Sequence, residues 1–318
     1  MDRFRAARDK GAAYLLRNVH PDGSFGSPAK GVTDYYKVIW ALQVAGETHA
    51  ANSICNWVRR NGMTAEGDLG PRPPEANGYY YNYYNAWVVI GAHKLQQYDL
   101  SMRGMDFMLR TWDEESGGFF SSVTERKSTT EMDLWVVSGC GQAALITGHI
   151  DVARGVGRWM RTLMEQQPNF PKQLYSVYTK AQGLITKLDP ATETRYVMSQ
   201  DAQRDQYFFH PGIAGGFLSK LFMATGEREW LEMAKKYMVV AEGASDYLMK
   251  LGRAGKVAWA ASVLWTLTGE SKYRDMAIRI GDNIIAMQQP DGSWHQSNDG
   301  TAEMTAWLDE VYQAVGAG

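Results

Sequence analysis

The chain has 318 residues, of which 33 are Lys or Arg and 35 Asp or Glu, for a formal net charge of −2; 45% is hydrophobic. Balanced charge removes the electrostatic drive toward nucleic acid or an anionic membrane. The apolar fraction excludes a disordered chain, and two cysteines, Cys55 and Cys140, exclude a disulfide framework or a thiolate-rich zinc site.

The residues from Met1 to Arg5 lead into an amphipathic stretch and not into a signal peptide. The longest apolar run, Val257 to Leu267, is shorter than the roughly 20 residues needed to span a bilayer. The expectation is a soluble, cytoplasmic protein with no nucleic-acid or integral-membrane partner; nothing in the sequence sets an oligomeric state.

The 3.6-residue periodicity predicts twelve helices in six pairs. In chain order they are 2–18 with 32–45, 47–61 with 81–95, 98–112 with 131–147, 150–166 with 211–225, 227–241 with 254–268, and 271–288 with 301–315. Gly46, Gly148, Gly226 and Gly269 mark helix ends at which the chain reverses, and Gln96 to Ser101 makes the same link without Gly. The first helix of each pair is amphipathic and charge-rich. The second is apolar nearly all round, as in Val257 to Trp265, and so must be buried. Six buried helices alternating with six half-exposed ones imply an all-α (α/α)6 toroid, one domain spanning 1–318. No stretch alternates with period two for long enough to suggest a sheet. Between the fourth and fifth pairs the segment 166–207, with Pro168, Pro171 and Pro190, is long enough to cap the cavity or form its wall.

Recurring turns at the ends of the charge-rich helices carry a family resemblance. Lys10 to Leu15 is followed by Asp22-Gly23-Ser24-Phe25, Arg103 to Met108 by Gly117-Gly118-Phe119, and the last copy reads Gln288-Gln289-Pro290-Asp291-Gly292-Ser293-Trp294. These resemble the QW repeats of the terpenoid cyclase and protein prenyltransferase toroids. The last copy has Asn283 where the pattern has an aromatic; the first has Val19 for Gln and Phe25 for Trp. Asn298 to Glu303 likewise resembles the DCTAE acid motif of oxidosqualene cyclases, with Gly300 in place of Cys. That resemblance makes Asp299 the candidate proton donor.

In a toroid the inner helices start on one side, so their free N–H groups and positive dipole ends share one mouth. The residues expected there include Asp34 to Lys37, Tyr79, Tyr80, Tyr81, Tyr83, Tyr84, Asn85, Glu131, Asp133, Trp135, Gln206 to His210, Lys256, Asp299, Thr301 and Glu303. From these the candidate catalytic groups are Asp34, Glu131, Asp133, His210 and Asp299. The candidate substrate contacts are Tyr35, Tyr36, Tyr83, Tyr84, Asn85, Trp135, Tyr207, Phe209, Trp259 and Glu303. Asp133 or Glu131 serves either chemistry or a helix cap, and Asp299 is open to the same two roles. His20, His49, His93, His149 and His295 read as structural. No HxH, HExxH, P-loop or DDxxD pattern occurs, so neither a metal nor a cofactor is expected.

Three functions fit. The first is a cyclase, isomerase or lyase acting on a small, largely apolar, terpenoid-like molecule in an aromatic-lined cavity. The second is a carbohydrate-active toroid with paired carboxylates, to which Trp294-His295-Gln296 with Glu303 adds a similarity to unsaturated-uronyl hydrolases. The third is a small-molecule binding protein without chemistry.

Overall fold

Helices with apolar residues on one face form an outer ring, and those apolar on every face form an inner one. The computed structural model describes residues 2–189 and 193–316; Pro190 of the long segment lies outside them. The outer helices are Asp2–Leu16, Thr48–Asn61, Tyr98–Leu109, Ile150–Glu165, Arg228–Glu242 and Ser271–Ala286. The inner helices are Val38–Val44, Tyr81–Lys94, Leu134–Ile146, His210–Thr225, Gly255–Thr268 and Asn298–Gly316. Each inner helix packs against the next, and the sixth packs against the first, which closes the ring. This is the expected (α/α)6 toroid.

The recurring turns have a physical function. Gly23, Gly117 and Gly292 in those turns, and Gly67 in an equivalent turn after the second outer helix, all have positive φ, near 82–93°. A Cβ at any of them would lie 2.2–2.4 Å from a backbone carbonyl oxygen of the next outer helix: Ser53, Gly155, Lys10 or Arg103, respectively. The turn therefore sets the spacing of neighbouring outer helices, and only glycine fits. In the last copy Gln288 Nε2 donates to the carbonyls of Ala7 and Gly292 at 2.9 and 3.0 Å. Trp294 Nε1 donates to Ile284 O at 2.8 Å, so the final turn ties the C-terminal pair to the first helix.

Two local expectations are corrected. The first inner element is not continuous over 32–45: a turn of helix, Val32–Tyr35, precedes Val38–Val44, and Tyr36 and Lys37 occupy the joint. Short strands also exist. Met132–Asp133 pairs antiparallel with Val177–Thr179, which pairs with Gly183–Leu184, while Gln173–Tyr175 pairs with Val197–Ser199. At two or three residues each, they are too short for period-two alternation to register in sequence.

Candidate functional site at the mouth of the inner ring

A cavity of about 580 Å³ opens where the inner helices begin, and residues at or just before all six helix starts contribute to its wall. Tyr36 and Lys37 come from the first, Tyr80, Tyr83 and Tyr84 from the second, and Trp135 from the third. Phe209 precedes the fourth, Lys256 lies on the fifth, and Asp299, Gly300, Glu303 and Met304 on the sixth. The loop before the fifth inner helix adds Lys250, Leu251, Gly252 and Arg253, and the turn before the sixth adds His295. Among the described residues of the segment 166–207, only Asp205 reaches this wall. It otherwise buttresses the third inner helix through the Asp133–Val177 pairing.

The chemistry centres on Glu303. Its carboxylate bridges two buried ammoniums, with Lys37 on Oε2 and Lys256 on Oε1, and Trp307 Nε1 lies 3.3 Å from Oε1. Asp299, one helical turn earlier, is 2.9 Å from the same Lys37 Nζ and is the more open of the two carboxylates. Burial opposes the charge on Glu303, but Lys256 and Lys37 outweigh it and hold the carboxyl well below its ordinary value. Burial likewise opposes the Lys37 ammonium, and Asp299 and Glu303 override it, raising its pKa well above that of a free lysine. Lys256 has only Glu303 in close contact, so burial prevails and its pKa falls to about 8, with the like charge of Lys37 adding to the shift. Aromatic faces supplement both cations: Lys37 Nζ is 4.8 Å from the Tyr36 ring centroid and Lys256 Nζ is 4.9 Å from that of Phe209. Tyr36 and Tyr84 meet edge to face, Trp135 leans on Tyr80 and Phe209, and these rings make the apolar part of the wall.

Seven of the fifteen sequence candidates line this cavity: Tyr36, Tyr83, Tyr84, Trp135, Phe209, Asp299 and Glu303. The other eight lie elsewhere. Asp133 and His210 are together, 3.9 Å apart, but both are fully buried behind Trp135 and Phe209. Asp133 Oδ1 accepts from Trp135 N at 2.7 Å and caps the third inner helix. Burial, reinforced by Lys256 and Arg253, lowers the His210 pKa to about 3, so the ring is neutral at physiological pH and does not face the mouth as expected. Glu131 precedes the helix; its carboxylate accepts from the Tyr196 hydroxyl at 3.0 Å and lines a separate groove. Asp34 accepts from Ser27 N and Asn298 Nδ2, tying the first loop to the sixth inner helix. Tyr35 donates to Gly70 O, and Asn85 belongs to a network with Arg72 and Asp68. Tyr207 stacks on Phe209 beneath Arg253. Trp259 lines a different cavity, at the other end of the barrel.

Sequence reasoning left Lys37 and Lys256 out of the candidates, although a lysine at the start of an otherwise apolar inner helix is itself a signal. His295, read as structural, is on the cavity wall. It and Gln296 have φ of 55° and 51°, and this left-handed pair brings the turn over the mouth, with His295 Nε2 toward Gly252. Among the described residues no group of three or more His, Cys, Asp or Glu is placed to hold a metal ion, and no helix is long and apolar enough to cross a membrane.

No family model matches the sequence, and the comparison with curated proteins gives no match. Solved structures do share the fold. A D-mannose isomerase superposes with a TM-score of 0.72 at 13% identity, over 98% of this chain and 97% of that one. The α-1,6-mannanase of a Salegentibacter species gives 0.66 at 11%, over 98% and 99%. An unsaturated glucuronyl hydrolase specific for heparin gives 0.63 at 10%, over 99% and 98%. These are sugar-acting toroids, where the QW-like turns pointed to terpenoid cyclases. The expectation of a cyclase, isomerase or lyase working on an apolar, terpenoid-like molecule is thereby corrected. The cavity gives the physical reason: Lys37, Lys250, Arg253, Lys256, Asp205, Asp299 and Glu303 line it, and an apolar substrate would strip water from these charges while offering them no hydrogen bond in return.

Proposed function

We propose that this protein is a carbohydrate-active enzyme that isomerises or epimerises a free sugar by proton transfer at the Lys37–Asp299–Glu303–Lys256 cluster. The observation that carries the reading is that every carboxylate on the cavity wall is already paired with a cation. Asp299 and Glu303 share Lys37, and Asp205 pairs with Arg253 at 3.1 Å. Glycoside hydrolysis needs a carboxylic acid that can protonate the leaving oxygen, alongside a second, ionised carboxylate. A variant of the mannanase inactivated at two adjacent aspartates has been solved with α-1,6-mannotriose; this chain has no two adjacent aspartates.

The same groups suit an enediolate. A base takes the proton from the carbon beside the open-chain carbonyl, and the electron pair moves onto the carbonyl oxygen. The resulting oxyanion is stabilised by the fixed charges of Lys37 and Lys256. For the ketose, the hydroxyl proton on the adjacent carbon passes to that oxyanion and the carbon-bound proton returns to the former carbonyl carbon, leaving the new C=O one carbon along; for the epimer, the proton returns to the other face of the carbon it left and the carbonyl re-forms in place. His295 is the base, an imidazole at the cavity edge. Glu303 acts as a positioning residue that holds two ammoniums side by side. Tyr36, Tyr84, Trp135 and Phe209 offer ring faces to the C–H face of a sugar.

The test is incubation with a panel of free aldoses and ketoses in D₂O, followed by NMR. Deuterium at the carbon beside the carbonyl, together with a new ketose or epimer, supports the reading. Release of reducing ends from α-mannan oligosaccharides or unsaturated uronyl disaccharides, without deuterium incorporation, overturns it.

A further inference from the structure

The other end of the barrel holds a second cavity of about 390 Å³, within the size range of small-molecule sites. Its wall is made by Trp40, Trp87 and Trp259 with Leu145, Ile146 and Met223. Trp40 stacks on Trp87 at 5.0 Å, and Trp259 stacks on Trp307 at 5.1 Å, so indoles form a partition between this cavity and the one at the mouth. Three charged residues, Lys94, Lys220 and Glu310, also line it.

Their state differs from that of the lysines buried at the mouth. Lys37 and Lys256 at the mouth are fully ion-paired, yet neither Lys94 nor Lys220 forms an ion pair among the described residues, and neither does Glu310. Lys94 lies at the rim, its Nζ 6.0 Å from the Trp40 ring centroid. It titrates below the ordinary lysine value, chiefly through desolvation; Lys220 pushes in the same direction and Glu310 against it. Trp40 Nε1 and Gln142 Nε2, from residues on the same wall, are buried donors with no acceptor. A shallower recess of about 230 Å³ shares Lys220, Met223 and Glu310 and extends the site toward Gln313.

We infer that this cavity is a second binding site, for an aromatic carboxylate. Its ring lies against the indole faces, and its carboxylate meets Lys94 and Lys220. Two unpaired ammoniums beside a flat apolar wall, with spare N–H donors, leave a deficit of acceptors and of negative charge that such a ligand supplies. A neutral ring would bury the wall but leave both cations unmatched. A cationic one would add a third positive charge against a single carboxylate, Glu310.

The experiment uses the full chain and 2-naphthoate, titrated by calorimetry and by quenching of tryptophan fluorescence, with 2-naphthylmethanol as the neutral control. The expected result is one site per chain, affinity at least tenfold above that of the alcohol, and at least a tenfold loss in K94Q/K220Q. Ala224→Trp, an exposed position on the cavity wall, is expected to block binding without removing a charge; circular dichroism checks that both variants fold. Equal affinity for the alcohol overturns the inference. So does binding that survives K94Q/K220Q and disappears in K37M, which would assign the ligand to the mouth, or no binding at all. None of these outcomes depends on sugar turnover, so this inference and the isomerase reading fail separately.

Discussion

The two ends of the inner ring are built from the same six helices and have opposite chemistry. At the helix starts, lysines are buried and matched by carboxylates, with Glu303 between Lys37 and Lys256. At the helix ends, Lys94 and Lys220 stand beside a wall of tryptophans, and among the described residues no carboxylate forms an ion pair with them. Helix starts present N–H groups and a positive dipole end, so acidic residues such as Asp299 are favoured there. Four of these helix ends turn back at glycines, Gly46, Gly148, Gly226 and Gly269, all with positive φ and no atom within 4 Å of a would-be Cβ, and the second turns at Gln96, also at positive φ. One end is organised for charge and the other for packing.

The sharpest way to break this contrast is Glu303→Gln. It leaves Lys37 and Lys256 facing each other with only Asp299 nearby, and should cut sugar turnover about 10³-fold. It should also cost about 3 kcal/mol of stability, because a buried charge pair loses one member; turnover assays and thermal melts check both. Near-normal turnover would remove the cluster from the mechanism.

His295→Asn should lower kcat about 10²-fold while leaving the melting temperature within a degree or so, since the residue is exposed. An equal loss of stability would mean that the left-handed turn, and not the imidazole, was being measured.

The pH dependence is a further test. Lys256 loses its proton near pH 8 in the folded protein and only near 10.5 in the unfolded chain. Between those values the unfolded state binds the extra proton, so this residue's contribution makes stability rise with pH. If Lys256 stabilises an oxyanion as proposed, turnover should fall across pH 8 as its ammonium is lost. Opposite slopes for kcat and for unfolding free energy are expected, and Lys256→Arg should move the fall in kcat to higher pH. Glu303 behaves differently: its pKa is held below the ordinary carboxylate value, so its contribution is complete above that value and disappears only in strong acid.

Smaller effects belong to residues away from the cavity wall. Asp133→Asn weakens a helix cap and should cost about 1 kcal/mol in a melt, with kcat changed little. Trp259→Phe, at the far end, should change turnover less than twofold. A large change in kcat for either variant would extend the reaction centre beyond the mouth.

Much of the architecture was legible in the chain. The polarity difference between helices such as Arg154 to Met160 and Val257 to Trp265 separates outer from inner, and alternation of the two, punctuated by glycines, implies the toroid. Helix direction then gathers Tyr36, Tyr84, Trp135, Asp299 and Glu303 at one mouth, because these residues sit at inner-helix starts. Periodicity does not state which side of a helix start faces the axis. Asp133 and His210 therefore turned inward behind Trp135 and Phe209, while His295, assigned to an outer turn, came over the opening through two left-handed residues. Ion pairing is likewise a matter of three-dimensional distance. Lys37, Lys256 and Glu303 are up to 266 residues apart in sequence, and only closure of the ring brings the last inner helix against the first. The sequence by itself determined the double ring and its shared rim, because burial of apolar helices follows from local composition. The tertiary structure alone decided which charges meet, because that depends on the rotation of each helix about its own axis and on the joint between first and last.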